Sequence, residues 1–330
     1  MEVANREPHG QGSVDWRPIA YETADIQRTQ ANGIEIAYET FGEATDPPVL
    51  LIMGFATQML GWDQQFCEEL ASRGRFVVRF DNRDVGLSTH LEDATVPRLQ
   101  EIFTENFRSA PYTLSDMAAD TTALMDALGI DSAHLVGASM GGMISQTTAI
   151  EHPERVRSIV SIMSTTGDRQ VGNPTEEATQ ALLGPAPRTR EEALDRAVRT
   201  YAVLGSPGFP LDEPALRARV GAAWDRAIHD PKGVIRQLAA IWASGDRTDK
   251  LAQIDVPVTI VHGSEDPLIS VSGGRATAKA IPGAELDVIE GMGHDLPRDL
   301  WSRILDRINA TIERGEAKRV DSGTVDGGQD

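Results

Sequence analysis

Short runs rich in Val, Ile and Leu alternate along most of the chain with longer stretches in which apolar residues recur at helical spacing. The runs Glu35 to Thr40, Val49 to Met53, Phe76 to Phe80, Ala133 to Val136, Ser158 to Met163, Val258 to His262 and Glu285 to Ile289 read as strands. Several are nearly all apolar, and strands without a polar face belong to a parallel sheet covered on both sides. The amphipathic stretches Asp63 to Arg73, Leu114 to Leu128, Gly141 to Glu151, Arg190 to Ala202, Pro214 to His229 and Leu300 to Glu313 read as the covering helices. The pattern predicts an α/β fold.

The strand rhythm fails in one place. From Asp168 to Lys250 only helical pattern is present, punctuated by Pro174, Pro185, Pro187, Pro207 and Pro210, and the β pattern resumes at Val256. The last two strands need the earlier ones to pair with. A helical insertion into one sheet domain is therefore expected: a core of residues 23–167 and 251–314, with a cap of residues 168–250. Residues 1–22 and 315–330 are rich in Gly, charged and small polar residues, and read as tails with little to bury.

The strand ending at Val136 runs into Gly137-Ala138-Ser139-Met140-Gly141-Gly142 and then a helical run. Between a strand and a helix, G-x-S-x-G is a nucleophile elbow, in which small residues on either side let the backbone turn sharply and expose the serine hydroxyl. The adjoining helix N-terminus favours negative charge, so Met140 N–H is the natural first donor to an oxyanion formed beside Ser139. The plainer reading of Ser139 is a helix N-cap.

A serine at its free pKa is a weak nucleophile, so the elbow requires a base and a group to orient that base, in the chain order serine, acid, histidine. Asp266 falls in the loop beyond the strand Val258 to His262, and His294 in the loop beyond the strand Glu285 to Ile289. Functional side chains of open α/β sheets collect at these carboxyl ends. His294 would take the Ser139 proton while Asp266 holds its other ring N–H. Glu265 is an alternative acid, Asp266 could merely start a turn before Pro267, and His294 could cap the last helix.

Lys and Arg number 31 against 50 Asp and Glu, a net charge of −19 that repels nucleic acid and anionic lipid. A single cysteine, Cys67, allows no internal disulfide and reads as a buried apolar filler. With no signal-type opening and no apolar run of membrane-spanning length, the expected location is the cytoplasm, with no membrane partner. No H-E-x-x-H spacing, Walker loop or dinucleotide glycine pattern is present, so neither a metal nor a cofactor is expected. His262, at the end of an apolar strand, reads as a packed core residue, and His152 as a helix C-terminal residue; His9, His90, His134 and His229 read as surface or loop residues.

Taken together, these residues make the chain similar to the α/β-hydrolase fold superfamily, and within it to the aclacinomycin methylesterase type, over roughly residues 25–314. Leu50-Leu51-Ile52-Met53-Gly54-Phe55 resembles the oxyanion loop, with Met53 where histidine is usual. The resemblance implies that Phe55 N–H joins Met140 N–H as oxyanion donor. Phe80-Asp81-Asn82-Arg83-Asp84-Val85-Gly86-Leu87-Ser88 resembles the superfamily's D-x-R-G-x-G-x-S segment, with Asp84 in place of glycine, and serves as scaffolding of the site. Leu60-Gly61-Trp62 adds to the likeness.

The resemblance implies a serine hydrolase acting through an acyl-enzyme on a carboxylic ester, and serine at the elbow disfavours the dehalogenases and epoxide hydrolases that use aspartate there. Met53, Met59, Leu60, Met140, Met292, Trp224 and Trp242 are candidate walls of a pocket for a hydrophobic small-molecule ester, with Tyr201 and Phe209 beside them. Core packing explains each nearly as well. The rival readings are C–C hydrolysis or cofactor-free perhydrolysis on the same triad, a weakly hydrolytic small-molecule receptor, and a recruited cyclase. A homodimer is compatible with the sequence.

Overall fold

The computed structural model describes residues 26–98 and 109–325, with side chains to residue 320. The expected tail at residues 1–22 lies outside the described residues. The chain builds β1 (Gln27–Ala31), β2 (Ile34–Phe41), β3 (Pro48–Ile52), α1 (Gln64–Ser72), β4 (Phe76–Phe80), α2 (Leu114–Ala127), β5 (Ala133–Ala138), α3 (Met140–Glu151) and β6 (Val156–Ile162). Then follow α4 (Glu176–Leu182), α5 (Arg190–Leu204), α6 (Glu213–Arg226), α7 (Pro231–Ser244) and α8 (Thr248–Leu251), before β7 (Val258–Gly263), α9 (Val271–Ala280), β8 (Glu285–Ile289) and α10 (Trp301–Val325).

The strands form one sheet in the order β1-β2-β4-β3-β5-β6-β7-β8. The β1–β2 and β2–β4 pairings are antiparallel, and the other five are parallel. Alternation along each strand divides the core between the two faces. Leu50, Ile52, Val78, Phe80, Leu135, Ile159 and Ile260 join one buried cluster, while Val49, Leu51, Val77, Val136, Val160 and Val261 join the other. Each such side chain stabilises the fold by about 1.5–3 kcal/mol relative to exposure. This is why the central strands carry no polar face.

All seven expected strands are present, and β1, on the sheet edge, is added. The helical insertion lies between β6 and β7, and its residues line a cavity over the carboxyl ends of the strands together with Ser139 and His294. Cys67 is fully buried and its thiol is pushed up to about 12, chiefly by desolvation, as an inert filler requires.

Two expectations are corrected. The chain does not become a tail at Gly315, because α10 continues to Val325. A Cβ at Gly315 would meet Arg157 O at 2.8 Å, so the helix packs closely on β6 there. Glu316 accepts from His134 Nε2 and Arg157 Nη1, each at 3.0 Å. His134 is accordingly not a surface residue: it is fully buried on β5, with Ser158 Oγ 2.8 Å from its Nδ1.

Candidate active site

The elbow is built by close approach. A Cβ at Gly137 would lie 2.1 Å from Gly141 O, and one at Gly141 would lie 2.0 Å from Ile52 O, so neither position accepts a larger residue. Ser139 sits between them at φ 56 and ψ −118, outside the regions an L-residue adopts freely. Its N–H donates to Ile162 O at 2.9 Å, which ties the turn to β6. Ser139 is also the N-terminal boundary residue of α3, but its side chain makes no capping bond. The hydroxyl donates instead to His294 Nε2, at 3.1 Å.

His294 Nδ1 donates to Asp266 Oδ2 at 2.7 Å. The other carboxylate oxygen, Oδ1, accepts from Leu268 N–H at 2.9 Å and Ile269 N–H at 2.8 Å. Asp266 therefore both starts the turn and orients the imidazole. Glu265, the alternative acid, accepts only from Ser264 Oγ at 3.4 Å on the surface. The three expected residues form one continuous hydrogen-bonded line.

The imidazole is positioned partly by the insertion. His294 N–H donates to Leu204 O at 2.7 Å, and Gly208 N–H donates to Gly291 O at 2.9 Å. A Cβ at Gly293 would meet Gly205 O at 2.3 Å. Ser206 Oγ accepts from Gly293 N–H at 2.8 Å and donates to Asp295, whose carboxyl is held above the usual range by burial. The turn after α5 thus grips the histidine loop. Sequence reasoning missed these contacts because Gly205 and Ser206 carry no local signature.

The loop expected to hold the oxyanion lies against Ser139: a Cβ at Gly54 would meet Ser139 Cβ at 3.1 Å. Phe55 follows Gly54, and Met140 is the first residue of α3, with its N–H at the positive end of the helix. Asn82 Nδ2 donates to Met53 O at 3.0 Å, and Asp81 accepts from Met59 N–H at 2.7 Å and Leu87 N–H at 2.9 Å. The Asp81 to Ser88 segment is scaffolding, and it also reaches the insertion. Buried Arg226 of α6 pairs with Asp81 at 3.0 Å, and buried Arg236 of α7 pairs with Asp84.

The cavity above Ser139 has a volume of about 2150 Å³. Met53, Met140, Trp224, Trp242 and Tyr201 line it, as do Met143, Met163 and Leu204, which the sequence reading did not select. Trp224 is stacked on His229 with centroids 3.6 Å apart, and the Arg169 guanidinium lies 5.4 Å from the Trp242 ring centre. Met59, Leu60 and Met292 are corrected: all three are buried and none lines the cavity. Met59 and Leu60 lie close in sequence to Phe55, and Met292 to His294, but the side chains are buried away from the cavity. Phe209 likewise packs against the core cluster.

Asp84, His90 and Asp230 place possible metal-ligand atoms within 4.8 Å of one another. Arg236 occupies the electrostatic role a cation would take there, donating to Asp84 Oδ2 at 2.8 Å, Asp84 Oδ1 at 2.7 Å and Asp230 Oδ2 at 3.0 Å.

The α/β hydrolase fold profile matches residues 47–297, and the chain belongs to that family. Rhodomycin D methylesterase of Streptomyces sp. (strain C5) is 30% identical over 278 residues, covering 78% of this chain and 88% of the relative. 3-Oxoadipate enol-lactonase 2 of Acinetobacter baylyi is 28% identical over 261 residues, covering 79% of this chain and 86% of that one. Among solved structures, the esterase RhEst1 from Rhodococcus sp. ECU1013 superposes with a TM-score of 0.68 at 21% identity, covering 87% of this chain and 98% of that one. No described helix is long and apolar enough to cross a membrane.

Proposed function

We propose that the protein is a serine hydrolase that cleaves a carboxylic ester of a bulky, apolar small molecule through an acyl-enzyme. The observation that carries this reading is the unbroken line from Ser139 Oγ through His294 to Asp266, at 3.1 and 2.7 Å. Ser139 Oγ attacks the ester carbonyl as its proton passes to His294 Nε2, and Asp266 stabilises the imidazolium. Phe55 and Met140 N–H groups hold the oxyanion. His294 returns the proton to the departing alcohol, and a water activated by the same imidazole then releases the acid.

The substrate class follows from the cavity. Leu183, Leu211, Ile228, Val234 and Trp242 are exposed hydrophobic residues, and all five line it. Walls of this kind accommodate an apolar ligand larger than the reacting group alone. The methylesterase relative supports a small alcohol leaving from a large acid.

The test is labelling by a fluorophosphonate followed by turnover of an ester panel varied on the acyl and alcohol sides. Parent enzyme labelled and active, with Ser139→Ala inert in both assays, is the expected result. Undiminished turnover by Ser139→Ala would overturn the reading. Release of a C–C cleavage product in preference to any ester product would replace the ester by another bond on the same triad.

A further inference from the structure

Gln237 of α7 belongs to the insertion, is fully buried, and is not used by the triad. Both ends of its amide engage backbone from the core. Oε1 accepts from Ala56 N–H at 2.8 Å, and Nε2 donates to Arg83 O at 2.8 Å. Ala56 directly follows Phe55 and has φ 53, a left-handed conformation that alanine keeps only when its surroundings hold it. Thr57 Oγ1 donates to Phe55 O at 3.0 Å, so the peptide plane after Phe55 is held from both of its polar sides.

The register of Gln237 is fixed by its neighbours. Arg236 makes a two-point pair with Asp84, at 2.8 and 2.7 Å, with both side chains fully buried. A Cβ at Gly233 would lie 2.5 Å from Asp84 O, so α7 rests directly on the scaffold segment. Gln237 has no freedom to slide along the loop. The position where the superfamily usually has histidine is Met53, whose side chain offers no comparable hydrogen bond.

From these contacts we infer that Gln237 is a positioning residue for the oxyanion loop: its amide fixes the peptide that follows Phe55, and with it the loop from which Phe55 N–H is presented. The inference rests on the reading of Ser139 as nucleophile. The site is then complete only while α7 is seated, because lifting that helix removes the loop's anchor. The insertion thereby contributes to transition-state stabilisation as well as to substrate choice.

The experiment compares full-length Gln237→Leu and Gln237→Asn with the parent on p-nitrophenyl acetate, a substrate too small to use the cap walls. Leucine fills the space but leaves Ala56 N–H and Arg83 O unpaired, and asparagine is too short to span both. Each variant is expected to lose about 10- to 100-fold in kcat with KM changed less than about threefold. Inhibition by a trifluoromethyl ketone, whose adduct carries the oxyanion, should weaken by the same factor. A purely structural residue would lower the melting temperature without separating kcat from KM. Folded Gln237→Leu with kcat and ketone inhibition within twofold of the parent overturns the inference, and Gln237→Asn decides on the same criterion if the leucine variant does not fold. Ser139→Ala separates the two levels: its full turnover would sink the nucleophile reading and this inference together. An inert Ser139→Ala beside a fully active Gln237→Leu would sink this inference alone.

Discussion

His262 Nε2 lies 3.6 Å from Asp266 Oδ2, the same oxygen that His294 Nδ1 engages at 2.7 Å. Two imidazoles beside one carboxylate would compete if both were charged. Burial pushes His262 below its ordinary pKa, and its Nε2–H donates to Ile269 O at 2.7 Å. It is therefore a neutral strut under the turn that carries Asp266, and the carboxylate remains available to His294.

The two histidines should separate experimentally. Replacing His294 by Ala is expected to lower kcat/KM by about 10⁴-fold or more, the scale of losing a triad base. His262→Gln should lower it by less than about tenfold while costing about 1–3 kcal/mol of stability from the broken buried hydrogen bond. Steady-state kinetics and urea unfolding on the same preparations test this. A loss of activity in His262→Gln equal to that of His294→Ala would mean that the base has been misassigned.

Backbone strain at Ser139 has a thermodynamic consequence. Its φ of 56 with ψ −118 is unfavourable for any residue with a Cβ, and glycine alone relieves it. Ser139→Gly and Ser139→Ala both lack the nucleophile, yet the glycine variant should be more stable than the alanine variant by about 1 kcal/mol, after the greater unfolded-state entropy of glycine is subtracted. Differential denaturant melts of the two inactive proteins measure this. An alanine variant more stable than the glycine variant, by the entropy difference alone, would show that the elbow stores no strain.

At position 84 two requirements oppose each other. Asp84 has φ 66, which suits glycine, but its carboxylate is the two-point partner of fully buried Arg236. Burial pushes that carboxyl up, and Arg236, Leu91 N–H and Tyr112 OH together outweigh it and hold it below the usual range. Asp84→Gly is therefore expected to destabilise by about 3 kcal/mol despite easing the backbone, because it takes the two-point partner from a buried cation that keeps only its Asp230 contact. The double variant Asp84→Gly, Arg236→Met should recover a large part of that loss. A double-mutant cycle in urea that shows simple additivity would deny the coupling.

The same helix shows where sequence pattern stops being informative. The apolar stripe of α7, Val234, Ile235, Leu238, Ile241 and Trp242, lines the cavity, while the face seated on the core carries Gly233, Arg236, Gln237, Ala239 and Ala240, small or polar groups, so apolar periodicity does not mark the face on which the helix is seated. The buried face of α9 is Gly273, Gly274 and Thr277, which hides it for the same reason. β1 is an edge strand reading Gln-Arg-Thr-Gln-Ala, with only Ala31 buried. The line of Ser139, His294 and Asp266 was legible because each member follows a strand, strongly buried in β5 and β7 and less apolar in β8, and strand ends fix where loops converge. The pocket walls were legible only in part, at Met53, Trp224 and Trp242, because neither proximity to the site residues nor apolar character reveals which way Met59, Leu60 or Met292 points.

His134 supplies a pH dependence that can be isolated. Burial lowers its pKa from 6.5 to about 4; Glu316 opposes the shift, and Arg157 and Arg75 add to it. The unfolded chain thus binds this proton more readily than the folded one. The resulting stability is complete above the unfolded pKa and is lost as pH falls from 6.5 through about 4. By pH 4 the loss from this group is roughly 3 kcal/mol. His262 is lowered in the same direction, so the wild-type curve contains both contributions and only a difference isolates one. His134→Gln keeps polar atoms near Ser158 and Glu316 but takes up no proton, so its stability should decline less steeply than that of the parent between pH 6.5 and pH 4. The two curves should run parallel above pH 7. Urea unfolding at closely spaced pH values gives both; an undiminished acid slope in the variant would place the titrating group elsewhere.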